Sequence, residues 1–226
     1  MPSDTSHTGI FFNELQAQVI KDWTSARRDS RVLEIACGTG RLTISLTGCF
    51  EEVIAGDIST NMLAIAKENT RRGGINNITF MRINARKLPF SENTVNAIIC
   101  FNFLHLLPNV QKCEFMSEFA RVLKPGGKLI IDFKSPFYGL VLVLIRYIWR
   151  LRVIPRKCFI PGQDKWLFRG FQKGRTMGIG LPFHSLLTLI FSKNAMMNIS
   201  LFLGRIPIIK FLCYAIVFEL YNEKQN

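Results

Sequence analysis

A glycine turn follows the first apolar run of the chain and carries the clearest chemical signal in the sequence. The run covers residues 32–36, and the turn after it reads Cys37-Gly38-Thr39-Gly40. Glycine allows positive φ and has no side chain to hold a ligand away from the backbone, and a helix beginning near Arg41 would present free N–H groups at the same point. We therefore expect a ligand to bind at this turn.

One class of ligand for such a turn is a nicotinamide dinucleotide. The dinucleotide fingerprint requires a third glycine three residues after Gly40, and this chain has Thr43 there. The departure weakens the dinucleotide hypothesis but leaves it open.

A carboxylate, Asp57, stands seventeen residues beyond Gly40, at the end of the next predicted strand. A carboxylate at the tip of a second strand can accept hydrogen bonds from both hydroxyls of a ribose that lies across the edge of the sheet. The alternative is that Asp57 only caps the following helix, a role that Ser59 could fill instead. We expect the ribose role.

The elements that would position these residues alternate between strand and helix. An amphipathic helix over residues 10–23 precedes them. The predicted strands cover residues 32–36, 52–55, 78–83, 97–101 and 128–133, and the predicted helices cover residues 41–47, 61–72 and 110–123. This alternation predicts a parallel, doubly wound sheet with helices on both faces.

The alternation ends after residue 133. Residues 182–193 have helical spacing, and residues 197–203 and 211–221 are predicted as two strands joined by a turn around residues 204–207. A connection this short predicts an antiparallel hairpin at the end of the sheet. The segment 135–181 is therefore interpreted as an insertion.

The insertion also holds most of the excess positive charge. The chain has 29 Lys and Arg against 16 Asp and Glu, a net charge of +13, and residues 135–181 contribute +8 of it. The segment begins with an apolar run and is rich in aromatic residues. Apolar residues flanked by cations are typical of an element lying on an anionic membrane, and also of a pocket for a hydrophobic anion. The alternative is ordinary core with a solvated charged face.

Four blocks in order, between about residues 30 and 133, resemble a known family. They are Val32-Leu33-Glu34-Ile35-Ala36-Cys37-Gly38-Thr39-Gly40, Gly56-Asp57-Ile58-Ser59 with Met62-Leu63 and Ala66, Ala85 with Leu88-Pro89-Phe90, and Phe119-Ala120-Arg121-Val122-Leu123-Lys124-Pro125-Gly126-Gly127-Lys128-Leu129. Together they resemble the class I S-adenosylmethionine-dependent methyltransferases, specifically the small-molecule group similar to ubiquinone and menaquinone methyltransferases.

The resemblance implies an α/β fold with a doubly wound, mostly parallel seven-stranded sheet, Rossmann-like, which ends in an antiparallel hairpin and has a lid insertion after strand five. The chain would be a single methyltransferase domain over residues 1–226. Its parts would be a helical cap (1–30), the cofactor-binding core (31–134), a basic and apolar substrate lid (135–181), and a final helix with two strands (182–226).

The resemblance also implies which residues bind S-adenosylmethionine. The glycine turn and Glu34 would face its methionine part, Asp57 its ribose, and the pair Asn84-Ala85 its adenine. The expected cofactor-binding residues are Glu34, Ala36, Cys37, Gly38, Thr39, Gly40, Asp57, Ile58, Met62, Asn84, Ala85, Arg86, Phe101 and Asn102.

The chain departs from the family at two positions. Asn84 replaces the usual Asp, and Val95-Asn96 replaces the usual Phe-Asp before strand four. An Asn side chain still offers an acceptor oxygen to adenine, although a neutral acceptor makes a weaker bond than a carboxylate. The departures bear on the affinity for the cofactor.

The chemistry needs little from the protein, because a sulfonium methyl group is already activated and an in-line displacement requires mainly positioning. A general base is optional. The candidates are His105, just past strand four, and His184, at the start of the late helix; a histidine in the apolar setting of His105 is also explained by packing. The six scattered cysteines fit neither a zinc site nor a disulfide framework, so no metal is expected.

The leading hypothesis is an enzyme that transfers a methyl group from S-adenosylmethionine to a small hydrophobic or lipid-like molecule, releasing S-adenosylhomocysteine. The polar residues 1–9 lack a secretory pattern and indicate the cytoplasm. The apolar and cationic residues of the insertion favour peripheral contact with an anionic membrane. Two alternatives stay open: an RNA methyltransferase, and a catalytically silent cofactor-binding or membrane-binding module. Nucleic acid is less favoured, because Phe101-Asn102-Phe103-Leu104 stands where amino-methylating nucleic-acid enzymes carry Asn/Asp-Pro-Pro-Tyr/Phe. The acceptor atom and the oligomeric state stay open.

Overall fold

The fold is known from a computed structural model, which describes residues 7–24, 31–135, 167–179, 192–206, 209 and 213–223. The helices in this part of the chain are α1 (His7–Thr24), α2 (Arg41–Leu46), α3 (Thr60–Arg72), α4 (Asn109–Val122) and α5 (Lys193–Leu203), with a 3₁₀ turn at Leu104–Leu106. The strands are β1 (Arg31–Ile35), β2 (Glu52–Asp57), β3 (Ile78–Arg82), β4 (Val95–Cys100), β5 (Leu123–Lys134), β6 (Phe171–Ile179) and β7 (Ala215–Asn222).

The strands form one seven-stranded sheet in the order β3-β2-β1-β4-β5-β7-β6. Neighbours from β3 to β5 pair in parallel, and β7 pairs antiparallel with both β5 and β6. The chain order reverses between β1 and β4, where ligands of open α/β sheets bind at the carboxyl ends of the strands. The predicted fold class is confirmed, including its antiparallel end.

Two apolar layers cover the two faces of the sheet, because successive strand residues point to opposite sides. On one face, buried residues such as Leu33, Ile98 and Leu129 pack with Phe119 of α4. On the other face, Val32, Ile99 and Ile130 pack with Leu15 and Ile20 of α1. The two layers hold in place the edge of the sheet that carries the glycine turn and Asp57.

The prediction of a strand over residues 197–203 is wrong, since these residues lie in α5. The polar and apolar residues alternate there as in a strand, but Ser192 caps a helix by accepting a hydrogen bond from the N–H of Ala195 at 3.3 Å. The buried side of the helix carries Met196 and Ser200, four residues apart, while Phe202 is 67% exposed. Helical spacing therefore decides which residues are buried.

The strand that pairs with β7 is instead β6, which lies inside the predicted insertion 135–181. The predicted boundary of the insertion is wrong at this end, because residues 171–179 form an edge strand of the sheet. Residues 136–166, which carry most of the predicted lid, and residues 182–191 of the predicted late helix lie outside the described residues. The lid stays a prediction.

Helix α1 is held at its carboxyl end by a polar cluster. The carbonyl of Trp23 accepts hydrogen bonds from Lys128 and, at 3.0 Å, from Arg175. Both cations pair with the fully buried carboxylate of Glu219 on β7, Arg175 at 2.7 Å and Lys128 at 3.4 Å.

Within the described residues, no helix combines the length and apolarity needed to cross a bilayer.

Candidate functional site

The glycine turn after β1 is closely packed against α3. Gly38 and Gly40 both have positive φ, 56° and 77°, and a Cβ at Gly40 would lie 3.0 Å from the Cβ of Ala66. The side chain of Asn69 on α3 also donates to the carbonyl of Thr39 at 3.0 Å. A Cβ at Gly38, by contrast, would meet no protein atom within 4 Å. The turn is thus packed against α3 on the side of Gly40 and open on the side of Gly38.

The structure brings the turn and Asp57 into direct contact. Oδ2 of Asp57 accepts a hydrogen bond from the N–H of Gly38 at 2.9 Å, and Oδ1 accepts one from the N–H of Ser59 at 2.9 Å. Ser59 itself caps α3 by accepting from the N–H of Met62 at 3.3 Å. Because a carboxylate can accept about four hydrogen bonds, Asp57 retains acceptor capacity for a ligand after forming these two.

Glu34 on β1 is a buried carboxylate whose Oε2 has no hydrogen-bond partner among the described residues. Burial raises the pKa of Glu34 to about 7, and the charge of Asp57 adds to this, while the Thr43 hydroxyl opposes it. Buried polar atoms in native proteins are almost always paired. The unpaired Oε2 of Glu34 near the glycine turn therefore fits a ligand with hydrogen-bond donors.

The predicted adenine side of the site lies beyond β2 and β3. Ile58 and Met62 are 61% and 42% exposed, an arrangement that leaves two apolar side chains available beside Asp57. The side chain of Asn84 accepts a hydrogen bond from the N–H of Arg86 at 3.0 Å, and Ala85 is buried. A carbonyl oxygen accepts two hydrogen bonds, so Asn84 can still accept one from a ligand.

The carboxyl end of β4 carries the remaining predicted residues. Phe101 is buried, and Asn102 is exposed with a left-handed backbone, φ 56°. His105 lies half-buried in the 3₁₀ turn Leu104–Leu106, at the same edge of the sheet. His184 lies outside the described residues. No contact of the described residues assigns catalysis to His105.

Sequence reasoning missed a buried pair on β5 beside Asn102. Oδ1 of Asp132 accepts a hydrogen bond from the N–H of Asn102 at 2.6 Å, and Nζ of Lys134 donates to Oδ1 of Asn102 at 2.8 Å. Burial raises the pKa of Asp132, while Lys134 and the N–H of Asn102 oppose the shift. The available signal was an acid inside the apolar run Leu129-Ile130-Ile131-Asp132-Phe133.

Two cysteines at this edge remain protonated thiols. Burial and the charges of Glu34 and Asp57 raise the pKa of Cys37. Burial, followed by the charges of Asp132 and Glu34, raises the pKa of Cys100. A nucleophilic cysteine needs a lowered pKa, so neither thiol is a nucleophile.

Among the described residues, no three His, Cys, Asp or Glu side chains could hold a metal ion together.

Residues 32–127 match a family model described as a methyltransferase domain. The chain is 38% identical over 121 residues to the ubiquinone/menaquinone biosynthesis C-methyltransferase UbiE of Erwinia tasmaniensis, covering 51% of this chain and 47% of the relative. It is 36% identical over 128 residues to the UbiE of Photorhabdus laumondii, covering 54% and 50%. The chain thus spans about half the length of the curated relatives it matches.

Solved structures show the same fold. A protein of Pyrococcus horikoshii superposes with a TM-score of 0.67 at 21% identity, covering 98% of this chain and 93% of that one. The magnesium protoporphyrin IX methyltransferase of Synechocystis, solved with bound SAH, superposes with a TM-score of 0.64 at 17% identity, covering 98% and 90%. At these identities the likeness is one of fold.

Proposed function

We propose that this chain transfers a methyl group from S-adenosylmethionine to a small hydrophobic molecule. The match of residues 32–127 to a methyltransferase domain and the 38% identity over 121 residues to a UbiE enzyme support this. The observation that supports it best is the hydrogen bond between Gly38 and Asp57 at 2.9 Å. It joins the open glycine turn to the carboxylate at the tip of β2, so one ligand can contact both.

The described residues fit the cofactor that the family uses. Asp57 would accept hydrogen bonds from the ribose hydroxyls, and the carboxylate of Glu34, with an unpartnered Oε2, would face the methionine part. Ile58 and Met62 offer apolar surface to the adenine ring. The side-chain oxygen of Asn84 can accept a hydrogen bond from the adenine amino group. The open space in front of Gly38 lets the ligand approach the backbone closely.

S-Adenosylmethionine, when bound, supplies a methyl group on a sulfonium that is activated without further help. The protein then has to hold the acceptor atom in line with the methyl group and exclude water. Residues at the carboxyl ends of β4 and β5 are placed for this task, since they lie beside the strands that would hold the cofactor. A general base such as His105 would be needed only where the acceptor must lose a proton before it attacks.

The acceptor that we propose is a hydrophobic aromatic ring, such as a quinol with an apolar tail. The proposal draws on the matched relatives, which are named as ubiquinone/menaquinone C-methyltransferases. A ring of this kind also fits the apolar and cationic composition of residues 135–181.

Titration calorimetry with S-adenosylmethionine, S-adenosylhomocysteine and NAD tests the cofactor. We expect the first two to bind and NAD not to bind. Turnover with a panel of quinols and other phenols, read as released S-adenosylhomocysteine, tests the reaction. Binding of NAD alone would refute the proposal, and binding of S-adenosylmethionine without turnover of any acceptor would favour a silent binding module.

We further propose that the enzyme works in the cytoplasm and contacts an anionic membrane from its surface. Six cations within residues 136–166 support the membrane contact, because each Lys or Arg near an anionic bilayer contributes about 1 kcal/mol. Replacing Arg150, Arg152 and Arg156 with Gln should weaken co-sedimentation with vesicles containing phosphatidylglycerol. Equal sedimentation of parent and variant, or none of the parent, would contradict the membrane contact.

A further inference from the structure

Asp132 and Lys134 lie on the same face of β5 at its carboxyl end, and both are buried, at 0% and 5% exposure. Their Oδ2 and Nζ atoms are 4.0 Å apart. A buried ion pair recovers its desolvation cost only when further hydrogen bonds satisfy both partners. Oδ2 of Asp132 has no hydrogen-bond partner among the described residues. The hydrogen bonds made by Oδ1 of Asp132 and Nζ of Lys134 therefore indicate what the pair holds.

Both members of the pair bind one residue, Asn102. The carboxylate of Asp132 accepts from its main-chain N–H at 2.6 Å, and the ammonium group of Lys134 donates to its side-chain oxygen at 2.8 Å. Asn102 has φ 56°, in the left-handed region that costs a residue other than glycine about 1 kcal/mol or more. The two hydrogen bonds offset this cost and fix both ends of Asn102.

The ammonium group of Lys134 makes its other contacts within the protein. It carries three N–H donors; besides Asn102, it faces the carboxylate of Asp132 and lies 3.8 Å from the ring centroid of Tyr214. Tyr214 in turn packs against Phe12 of α1, with ring centroids 5.6 Å apart. Lys134 thus connects Asn102, which follows β4, to Tyr214 before β7 and through it to α1. Its contacts hold Asn102 in place.

We propose that Lys134 and Asp132 are positioning residues for methyl transfer, which hold the loop Phe101-Asn102-Phe103 in the conformation that places the acceptor against the methyl group. The inference rests on the proposed function. Asn102 is exposed at the carboxyl end of β4, next to the strand that carries the glycine turn. A shift of about 1 Å in such a loop can lower a rate by about 100-fold.

The test compares Lys134→Met with Lys128→Met. Lys128 is a matched control, since it lies on the same strand and also pairs with a buried carboxylate, that of Glu219, at 3.4 Å. Its Nζ lies 5.5 Å from the ring centroid of Tyr221. Lys128 is nearer the amino end of β5, away from Asn102. We expect Lys134→Met to lower kcat about tenfold or more with the affinity for S-adenosylhomocysteine changed less than about threefold. Lys128→Met should leave both within about threefold.

A double-mutant cycle separates positioning from a general loss of stability. Glycine adopts a left-handed conformation without strain, so Asn102→Gly should reduce the effect of Lys134→Met on kcat by about threefold or more and leave the effect of Lys128→Met unchanged. If the effects of Lys134→Met and Asn102→Gly on kcat are purely additive, the inference is overturned.

Surface variants keep the inference testable if Lys134→Met does not fold. Asn102 and Asn93 are both exposed and left-handed, with φ 56° and 54°, at opposite ends of β4. Asn102→Ala should lower kcat about tenfold and Asn93→Ala less than about twofold, at a similar loss of stability. If the parent is active and both Asn variants have the same kcat as the parent, the inference is refuted while the proposed function stands. A parent that turns over no acceptor would refute the proposed function and this inference with it.

Discussion

The carboxylates of Glu34 and Asp57 lie on neighbouring parallel strands, and the charge of Asp57 adds to the burial that raises the pKa of Glu34 to about 7. Glu34 therefore changes its charge within the physiological range, and under the proposed function it faces the methionine part of the cofactor, which carries a cationic amino group. Two predictions follow from this relationship, one for binding and one for stability.

Binding of S-adenosylmethionine should strengthen as the pH rises through about 7, because the charged form of Glu34 attracts a cationic ligand more strongly than the neutral form. Calorimetry from about pH 6 to about pH 8.5 measures this dependence. Glu34→Gln should bind more weakly at high pH and lose most of the dependence. A pH dependence that survives in Glu34→Gln would assign it to another group.

The stability of the ligand-free protein should show the opposite trend. The folded state holds the proton of Glu34 more tightly than the unfolded chain, so this contribution is complete below the unfolded pKa of 4.5 and is lost as the pH rises through about 7. Glu34→Gln should therefore raise the free energy of unfolding at about pH 8 by about 1 to 3 kcal/mol. Urea unfolding measures it, and Glu51→Gln, at an exposed position, should change it little.

Gly38→Ala should abolish most of the affinity for S-adenosylmethionine. Its Cβ would enter the open space in front of the turn, where the structure has no protein atom within 4 Å. Gly74→Ala is the matched control, because Gly74 also has positive φ, 65°, and open space around it. Both variants should lose about 1 kcal/mol of stability from backbone strain. Equal affinity of the two variants for the cofactor would contradict the assigned position of the ligand.

Asp57→Asn should weaken binding of S-adenosylmethionine by at least about tenfold, because hydrogen bonds to a charged acceptor contribute about 1.5 to 3 kcal/mol. It should also loosen the glycine turn, since Asp57 accepts from Gly38 at 2.9 Å. Amide hydrogen exchange at Gly38 should therefore accelerate even without the cofactor. Asp22→Asn on the exposed side of α1, which removes a carboxylate bonded to Gln18, should change neither property.

The sequence predicted the parallel part of the sheet well, because its signals are local. Short apolar runs, the glycine turn and the capping residue Ser59 each act within a few residues, and β1 to β4 and α2 to α4 begin and end within two residues of the predicted bounds. Strand β5 begins at Leu123, five residues before its predicted start at residue 128. The contact between Gly38 and Asp57 was also foreseeable, since both follow neighbouring parallel strands.

The antiparallel end could not be predicted in the same way, because long-range pairing decides it. Strand β6 contains two glycines and two cations, which obscure its pattern, and it is an edge strand beside β7. Edge strands commonly carry charged residues that discourage aggregation. The one sequence clue is Glu219, an acid inside an apolar strand, whose burial requires a cationic partner such as Arg175.

The support for Asn102 was missed for a related reason. Asp132 and Lys134 occupy alternate positions of β5, as strand residues on one face do. Nothing in the sequence shows that both contact Asn102, which lies 30 positions before Asp132 and 32 before Lys134. That contact depends on the parallel register between β4 and β5, with Cys100 opposite Ile131.

The adjacent strands β1 and β4 are each followed by a left-handed residue, Ala36 with φ 59° and Asn102 with φ 56°. At both strand ends the main chain therefore turns through a left-handed residue, at the point where the chain order of the sheet reverses. Under the proposed function, substitutions after β4 should then alter acceptor selectivity, while the residues after β1 and β2 that we propose to bind the cofactor keep their conformation. Directed evolution toward new acceptors should accordingly begin from the residues that follow β4.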